Sequence, residues 1–421
     1  MAVELQINNS SSASARYVGY APAQCRIRYA PAPLPPKVPV PLPFKVKLVS
    51  GGPVGQVVFY GTGATPSATA ATSLTVTLPP KGKWASFWMG GAFGSPSVDD
   101  GDASVRVMPL PLKPFPARPK PLLVVKLMVR VRKNANALTA GERDRFLVAL
   151  GALNNNGAGL FQTFRDMHVN ASIQEAHGGP QFLPWHRSYL LDLERELQNI
   201  DRSVTLPYWR FDQAAPNLFT SDFIGRTSMT ASAVTFSATN PLQLWQTDSV
   251  SGVVRRSRFD TTTSAAFVID EASTLGLGTN YPSFRTMEGN PHGSAHTSFT
   301  GWISSIDTAA KDPLFFLLHC NVDRLWAKWQ WLGAHFDPAV TGNYDSAAAT
   351  RIGWALGDTM WPWNGVTASP RPTTAPGGGL ATSACVAAPG TAPVVSSQLD
   401  FQGRVATGAR LGFDYDDVPY P

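Results

Sequence analysis

The stretch HGGPQFLPWHRSYLLDLEREL, residues 177–197, places one histidine before an amphipathic helix and a second histidine inside it. A proline fits the first turn of a helix, where its missing N–H needs no partner, so the pattern predicts a helix that begins at Pro184 and carries His186 in its first turn. His177 lies half a rotation out of phase with His186 on a continuous helix, and it is therefore predicted on the Gly-Gly-Pro loop. Helical spacing predicts an inward stripe of Tyr189, Leu190, Leu193 and Leu197, and an outward set of Asp192, Glu194 and Glu196.

A second segment, GNPHGSAHTSF at residues 289–299, carries two more histidines. Asn290 is predicted as the N-cap of a helix, with Pro291 at its first position. His292 and His296 are then four residues apart, and their imidazoles are predicted to project from the same helix face.

Two further segments each add one histidine to these pairs. In DPLFFLLHCNVDRLW, residues 312–326, Asp312 is a candidate N-cap for a helix that carries His319 on its inward face. In GLFQTFRDMHVN, residues 159–170, His168 shares a helical stripe with two phenylalanines. Each of these segments thus predicts a helix that supplies a third imidazole to one pair.

Six of the seven histidines of the chain therefore form two matched triads, His168, His177 and His186, and His292, His296 and His319. Three neutral imidazoles without a carboxylate or thiolate suit a borderline ion such as copper or zinc. Four helices that bring both triads together would make a metal site in the core of a helix bundle. The seventh histidine, His335, lies outside these patterns and is predicted to be a structural or surface residue.

These motifs resemble those of the tyrosinase superfamily of type-3 copper proteins, which includes tyrosinases, catechol oxidases, o-aminophenol oxidases and hemocyanins. HGGPQFLPWHRSYL resembles the first copper motif, and EGNPHGSAH together with DPLFFLLHCNVDRLW resembles the second. LPYWRFDQ (206–213) is similar to the connecting motif, and FDYDDVPY (413–420) to the tyrosine-bearing end of the catalytic domain. The resemblance covers about residues 130–421 and implies that the first triad binds one copper ion, CuA, and the second triad binds the other, CuB.

The resemblance also implies an activity, the oxidation of catechols by O2 to o-quinones, with monophenols or o-aminophenols as possible further substrates. Glu288 matches a glutamate that in related enzymes holds a water near CuB, and such a water can deprotonate a monophenol. Gly293 stands where strong monophenol hydroxylases often carry asparagine, which favours diphenol over monophenol oxidation. Ile306 stands where plant relatives often place a phenylalanine gate, so a more open pocket is expected.

Three neighbours of the histidines are expected to support the copper pair. Phe182 resembles the aromatic residue that packs against the two copper ions in the family. Asp323, one turn after His319, is a candidate to orient a ligand, paired with Arg187, because ligating imidazoles usually donate their second N–H to an oxygen.

The first 115 residues have a different pattern. Several short runs of alternating or β-branched residues, separated by Gly, Pro, Ser and Asp, predict a small β-sandwich; they are residues 3–8, 45–49, 56–60, 73–78, 84–89 and 104–108. The predicted organisation is a β-sandwich accessory domain over 1–115, a linker or strand over 116–130, and a mainly α catalytic domain with a four-helix-bundle dicopper core over 131–421. Proline-rich segments at 31–43 and 109–121 and a Gly/Pro/Ala-rich segment at 366–398 are predicted to be extended or loop structure.

The composition restricts the possible partners. With 43% hydrophobic residues and a net charge of +6, the chain is globular and only mildly basic. It has no Lys/Arg run for nucleic acid and no apolar stretch long enough to span a membrane. The first residues lack the pattern of a secretion signal, and three cysteines are too few for a disulfide framework, so a cytoplasmic location is expected, with export alongside a partner protein as the alternative.

Two other functions compete with the phenol oxidase. An oxygen carrier like hemocyanin would block access of substrate and build large assemblies, which Ile306 and the lone catalytic domain do not favour. A zinc hydrolase would need a carboxylate base and a bridging ligand, which the all-histidine triads do not offer. The expected ligands are therefore two copper ions with phenols and O2 as substrates, whereas the sequence indicates no oligomeric state.

Overall fold

The computed structural model describes residues 2–30, 44–110, 119–168, 173–344, 351, 353–363, 393–406 and 410–420. The predicted extended segment at 31–43 lies outside the described residues, as do most of the segments at 109–121 and 366–398. Contacts divide the chain into two units, Met1–Val131 with Gly412–Pro421, and Arg132–Leu411.

The first unit is built from antiparallel sheets. Its strands are β1 Ala2–Gln6, β2 Tyr17–Val18, β3 Ala23–Ala30, β4 Phe44–Gly51, β5 Val57–Phe59, β6 Ser73–Leu78, β7 Ala85–Gly91, β8 Ala103–Pro109 and β9 Leu123–Val129. One sheet has the order β1-β3-β7-β5 and the other has the order β2-β9-β8-β4-β6, in which only the β2–β9 pair is parallel. Strand β9 lies within the segment predicted as linker or strand.

The strands of the first unit follow the period of two that the sequence indicates. On β4, Val46 and Leu48 are buried while Lys45 and Lys47 are exposed, because successive side chains point to opposite faces of a sheet. The inward residues of both sheets form a single apolar cluster. Burial of this cluster on one face of each sheet is what stabilises the unit.

The closing segment, Gly412–Pro421, belongs to the first unit. Its resemblance to the end of a catalytic domain predicts instead that it belongs with the catalytic domain. The Asp414 carboxylate accepts a hydrogen bond from the backbone N–H of Ala21 at 3.2 Å. Gly19 permits this approach, because a Cβ at that position would lie 2.0 Å from the same carboxylate oxygen. The Tyr420 ring packs against Tyr60 with a centroid distance of 5.7 Å.

The second unit is mainly helical. Its helices are α1 Ala140–Asn154, α2 Phe161–Met167, α3 Ile173–Ala176, α4 Phe182–Ile200, α5 Glu271–Leu275, α6 Tyr281–Phe284, α7 Ser294–Thr297, α8 Ile306–Ala309 and α9 Leu314–Gly333. Two short antiparallel pairs accompany them, β10 Gln246–Thr247 with β11 Val250–Ser251, and β12 Arg255–Ser257 with β13 Phe299–Gly301. No helix among the described residues is long and apolar enough to cross a membrane.

Helix starts agree in part with the sequence signals. The N-cap of α1 is Thr139, which forms a complete capping box with Glu142. Helix α4 begins at Phe182 rather than at Pro184, which leaves His186 in the second turn. Proline is tolerated as the third helical residue because the first N–H groups of a helix have no partner within it. The N-cap of α9 is Pro313 rather than the predicted Asp312, although the Asp312 carboxylate accepts from the N–H of Leu314 at 2.9 Å.

Helices α4 and α9 form the centre of the second unit. Every residue from Phe182 to Glu194 and from Leu314 to Ala327 is buried, so both helices are surrounded by protein on all sides. The prediction that Asp192 and Glu194 face outward is therefore wrong. Both are 1% exposed, and Asp192 accepts a hydrogen bond from the Trp363 indole N–H at 2.5 Å. The apolar stripe of α4 is correct, but its polar face is also covered.

Candidate metal centre

Three different local structures present the first triad. His168 directly follows α2, with backbone angles outside the helical region, so it lies just past a helix end rather than within a helix. His177 lies on the loop between α3 and α4, and His186 lies in the second turn of α4. The three side chains each offer a nitrogen within 4.8 Å of the others.

The second triad lies on two segments. His292 is in an irregular turn with π-type hydrogen bonds, Gly289–Gly293, and His296 is in the short helix α7 that follows it. The Nε2 atom of His319, on α9, lies 3.3 Å from Nε2 of His292 and 3.1 Å from Nε2 of His296. These three side chains also offer nitrogens that all lie within 4.8 Å of one another.

Asn290 does not act as the predicted N-cap. Its backbone is extended, and its side chain accepts from the N–H of Ile269 and donates to the carbonyl of Phe267, both at 3.0 Å. It thus fastens the turn that carries His292 to a neighbouring loop. The two histidines nevertheless share one side of the segment, with ring centroids 4.7 Å apart.

Backbone carbonyls orient three of the six imidazoles. Nδ1 of His186 donates to the carbonyl of Phe182 at 2.8 Å, Nδ1 of His292 to that of Glu288 at 2.7 Å, and Nδ1 of His296 to that of Ile303 at 2.6 Å. Because a carbonyl only accepts, each of these rings carries its proton on Nδ1. The Nε2 lone pair is then available to a metal ion, which is the arrangement that ligating histidines usually show.

The unpartnered nitrogens test whether a metal would fit. Among the described residues, both ring nitrogens of His168, Nδ1 of His177, Nε2 of His186 and Nδ1 of His319 are buried without a hydrogen-bond partner. Buried polar atoms without partners are rare in folded proteins, and each demands an explanation. A metal ion at each triad would supply the missing partner for nitrogens that point into it.

Burial keeps the six rings neutral. It lowers the pKa of His168 to about 3, with a further contribution from the imidazole of His296, and lowers the pKa of His296 to about 4. Desolvation likewise holds the pKa values of His177, His186, His292 and His319 well below the ordinary value. Neutral imidazole is the form that binds transition metals, so the triads need no deprotonation before a metal binds near neutral pH.

The two triads adjoin each other. The rings of His177 and His292, which belong to different triads, have centroids 6.3 Å apart with an interplanar angle of 28°. Phe182 lies between the triads, because its ring centroid is 4.8 Å from those of both His186 and His292. This places the predicted packing aromatic against one ring of each triad and indicates a binuclear centre.

The triads border a cavity of about 310 Å³. Glu288, Gly293 and Ile306, the positions that the sequence connects with the choice of reaction, all line it. Its remaining lining consists of four of the histidines and a mainly small or apolar wall, namely His168, His177, His292, His296, Thr297, Ile303, Ser304 and Ala309. Ile306 is 45% exposed, so the wall is open to solvent at this point.

Glu288 has a shifted acidity. Burial raises the pKa of its carboxyl to about 7, and a hydrogen bond from the backbone N–H of Gly178 at 2.8 Å opposes this rise only in part. Gly293 stands close to the same residue, since a Cβ at position 293 would lie 3.3 Å from the Glu288 carbonyl oxygen. A carboxyl that titrates near neutral pH at a cavity wall is suited to proton transfer.

A buried ion network ties α4 to α9. The Asp323 carboxylate accepts from Nε of Arg187 at 2.6 Å and from Nη1 of Arg132 at 3.1 Å, and Arg132 also pairs with Glu194 at 2.8 Å. Arg187 further stacks over the Trp326 ring at 3.7 Å. Asp323 and Arg187 thus form the pair that the sequence suggested, and they connect the helices of His186 and His319.

Sequence reasoning missed Arg132 and the carbonyl of Ile303. Arg132 is one of several basic residues in VRVRK, and nothing in that local sequence separates the buried arginine from its neighbours. The Ile303 carbonyl is a backbone group, which no side-chain motif reveals. His335 lies apart from the triads, stacked on Trp329 at 3.9 Å and bonded through Nδ1 to Asn343 at 2.7 Å.

Comparisons with known proteins agree with this geometry. The family model described as the common central domain of tyrosinase matches residues 158–332. A tyrosinase of Streptomyces glaucescens is 34% identical over 266 residues, which cover 56% of this chain and 92% of that protein. A grixazone synthase of Streptomyces griseus is 30% identical over 268 residues and covers 48% of this chain and 85% of its own length. The solved structure of a Burkholderia thailandensis tyrosinase is 18% identical and matches 68% of this chain and 75% of its own with a TM-score of 0.40.

Proposed function

This chain belongs to the tyrosinase family of type-3 copper oxidases, and on that premise we propose that it oxidises catechols with O2 to o-quinones. In this proposal monophenols and o-aminophenols are further substrates, which are oxidised more slowly than catechols. The observation that carries it is the pair of adjoining all-histidine triads, each with two buried members and one half-buried member, at the wall of one cavity. Such triads provide ligands for two copper ions and no carboxylate or thiolate that would favour another metal.

In this proposal His168, His177 and His186 hold CuA, and His292, His296 and His319 hold CuB. When bound, the copper pair supplies the redox chemistry by which a diphenol passes two electrons to O2. The protein contributes neutral, oriented imidazoles: burial keeps them unprotonated, and the carbonyls of Phe182, Glu288 and Ile303 fix three rings. Support for the ligand set comes from the buried nitrogens that have no partner among the described residues.

Glu288 is proposed to handle the substrate proton. Its carboxyl, with a pKa raised to about 7, can accept a proton from a phenol directly or through one water within the cavity. A monophenol needs this step more than a catechol does, because its hydroxyl group must ionise before it can bind as an electron-rich ligand. Gly293 offers no side chain to hold such a water, and this favours catechols over monophenols.

Ile306 is proposed as the gate residue of the substrate cavity. Its partly exposed side chain leaves an approach for a substituted phenol, and the small residues Ser304 and Ala309 line the same wall. An approach of this kind favours an oxidase over the hemocyanin-like oxygen carrier, in which substrate access would be blocked.

The finer architecture is part of the proposal. The segments that bear the triads are α2, α4, the Gly289–Thr297 segment and α9, and we assign them to a four-helix dicopper core. The two sheets of the first unit, with their shared apolar cluster, are assigned to a β-sandwich accessory domain. The Arg187–Asp323 pair is assigned a positioning role, because it fixes α4 relative to α9.

Copper analysis together with oxygen uptake on catechol tests the proposed function. The purified chain, loaded with copper and freed of excess metal, should bind two copper ions and consume O2 with the appearance of quinone absorbance. Full copper loading without turnover would point to an oxygen carrier, and failure to bind copper would overturn the proposal. The His335→Ala variant, which removes a histidine outside the triads, serves as the control.

A further inference from the structure

His177 lies on the loop between α3 and α4, so its position depends on how that loop is fastened. The loop is His177–Gln181, and Gln181 donates through its side chain to the carbonyl of His177 at 3.1 Å. The hydroxyl of Tyr281 donates to the carbonyl of Pro180 at 2.5 Å. Tyr281 therefore fastens the end of the loop next to α4, and Gln181 fastens the carbonyl group of His177.

The N–H that directly follows His177 is fastened by Glu288. The backbone N–H of Gly178 donates to Oε1 of Glu288 at 2.8 Å. Gly178 has a φ of +72° and open space where a Cβ would be, so the chain turns at this point with no side chain to support it. The carboxylate therefore supplies a contact that the loop itself cannot make.

The same residue also contacts the other triad. The backbone carbonyl of Glu288 accepts from Nδ1 of His292 at 2.7 Å, whereas its carboxylate reaches the loop of His177. Glu288 thus joins a residue of each triad through two different groups. Among the described residues, no hydrogen bond uses its second carboxylate oxygen, Oε2, which leaves that atom for the cavity.

From this geometry we infer that the Glu288 side chain is a positioning group for CuA, because it holds the loop of His177, although Glu288 lies on the CuB segment. This inference rests on the proposed function insofar as copper binds the triads. It differs from the proposed proton-transfer role, because positioning needs only a hydrogen-bond acceptor at Oε1 and not a titrating acid. Contacts that orient metal ligands typically change metal affinity by about 10- to 100-fold when they are removed.

Two substitutions separate the two roles. Glu288→Gln keeps an acceptor at Oε1 but removes the acid, whereas Glu288→Ala removes both. Glu288→Ala should therefore weaken one of the two copper ions by about tenfold or more in competition with a chelator. Glu288→Gln should hold both ions nearly as tightly as the natural chain while losing monophenol oxidation. Glu196→Ala, a glutamate on α4 that contacts only Asn199 among the described hydrogen bonds, should change neither.

Hydrogen exchange of the copper-free protein gives a readout that does not depend on copper or turnover. In the peptide that contains Gly178, one amide should exchange about tenfold faster in Glu288→Ala than in the natural chain or in Glu288→Gln. Tyr281→Phe, which removes another contact of the same loop, should weaken the same copper ion.

The possible results are distinct. If Glu288→Ala left both the exchange of this amide and the chelator competition unchanged, the positioning role would be wrong. It would also be wrong if Glu288→Gln weakened copper as much as Glu288→Ala. If the natural chain bound no copper, the proposed function would fail, whereas the exchange measurement would still decide whether Glu288 holds the loop.

Discussion

The imidazole rings of His186 and His319 stack with their centroids 4.3 Å apart and their planes 12° from parallel. The two residues come from different triads and from the two buried helices, α4 and α9, at the centre of the second unit. Their contact shows that the packing of α4 on α9 brings one ligand of each triad together. The metal ligands are therefore part of the hydrophobic core rather than an addition to its surface.

Replacing His319 should remove one copper ion. In His319→Ala the nitrogens of His292 and His296 lose the third member of their triad, so the copper content is expected to fall from two ions to about one per chain. His335→Ala is the matched control, because His335 contacts Trp329 and Asn343 outside the triads. Metal analysis of both purified variants decides; an unchanged content in His319→Ala would refute the ligand assignment.

The copper-free protein should lose stability as the pH falls below neutral. The folded-state pKa values of the six triad histidines lie below their unfolded value, with His168 at about 3 and His296 at about 4. Below the ordinary histidine pKa of about 6.5 the unfolded chain therefore takes up protons that the folded chain does not. Each such histidine reduces the stability by up to about 1.4 kcal/mol per pH unit between 6.5 and its folded pKa.

Titration of Glu288 changes the stability in the opposite direction. Its folded pKa, raised to about 7, means that the folded chain binds a proton before the unfolded chain does, and this one group adds stability as the pH falls. Six histidines outweigh one carboxyl, so the net effect is a loss. This loss of stability is measured by thermal unfolding of the copper-free and the copper-loaded protein at pH 7.5, 6.5 and 5.5. These pH values avoid most of the titration of carboxyl groups. A midpoint that stayed constant or rose on acidification of the copper-free protein would contradict the prediction.

Much of the centre follows from local sequence, because histidine spacing on helices translates directly into shared faces. The two triads, the capping box of α1 and the loop position of His177 all rest on such short-range signals. Long-range partners are different. The helical period alone predicts that Asp192 and Glu194 face solvent. They are buried because they bind Trp363 and Arg132, two residues that are distant in sequence.

The irregular backbone could not be predicted from the local sequence either. The turn at Gly289–Gly293 begins with an extended Asn290 whose side chain binds a loop more than twenty residues earlier in the chain, so its cap-like sequence does not cap a helix. The closing segment was assigned by resemblance, but Asp414 has its contacts in the first unit. In both cases tertiary contacts decided between structures that the local sequence equally allows.

Asp323→Asn should destabilise the second unit and loosen both copper sites. The substitution leaves Arg187 and Arg132 buried with one carboxylate fewer, and breaking a buried ion pair costs about 3–5 kcal/mol. Since the pair connects α4 to α9, both copper ions should be easier to remove, unlike the loss of a single ion expected for Glu288→Ala. Asp144→Asn, an exposed carboxylate on α1, is the control. Chemical denaturation and chelator competition measure the two effects. If Asp323→Asn matched Asp144→Asn in stability and copper retention, the positioning role of Asp323 would be excluded.

Gly293→Asn should raise the ratio of monophenol to diphenol oxidation. The added amide can hold a water beside Glu288, which assists the deprotonation that monophenols need more than catechols do. The new Cβ would lie 3.3 Å from the Glu288 carbonyl, so a modest loss of thermal stability is also expected. Gly293→Ala introduces the same Cβ without the amide and should not raise the ratio. Initial rates on a matched monophenol and diphenol test this, and an equal ratio in both variants would show that the amide does not act.

Relief of backbone strain at Phe267 should stabilise the protein. Phe267 has a φ of +64°, in the left-handed region that costs a side chain with a Cβ about 1–2 kcal/mol, and its side chain is 75% exposed, so little packing offsets that cost. Asn290 holds the loop in this form through the Phe267 carbonyl and the Ile269 N–H. Phe267→Asn, which tolerates this backbone, should raise the melting temperature by a few degrees, and Phe267→Val should lower it, because a β-branched residue is least compatible with it. Leu244→Asn replaces another exposed apolar residue and controls for the change in surface polarity. If Phe267→Asn melted no higher than the natural chain while Leu244→Asn was neutral, the left-handed conformation of Phe267 would not be a source of strain.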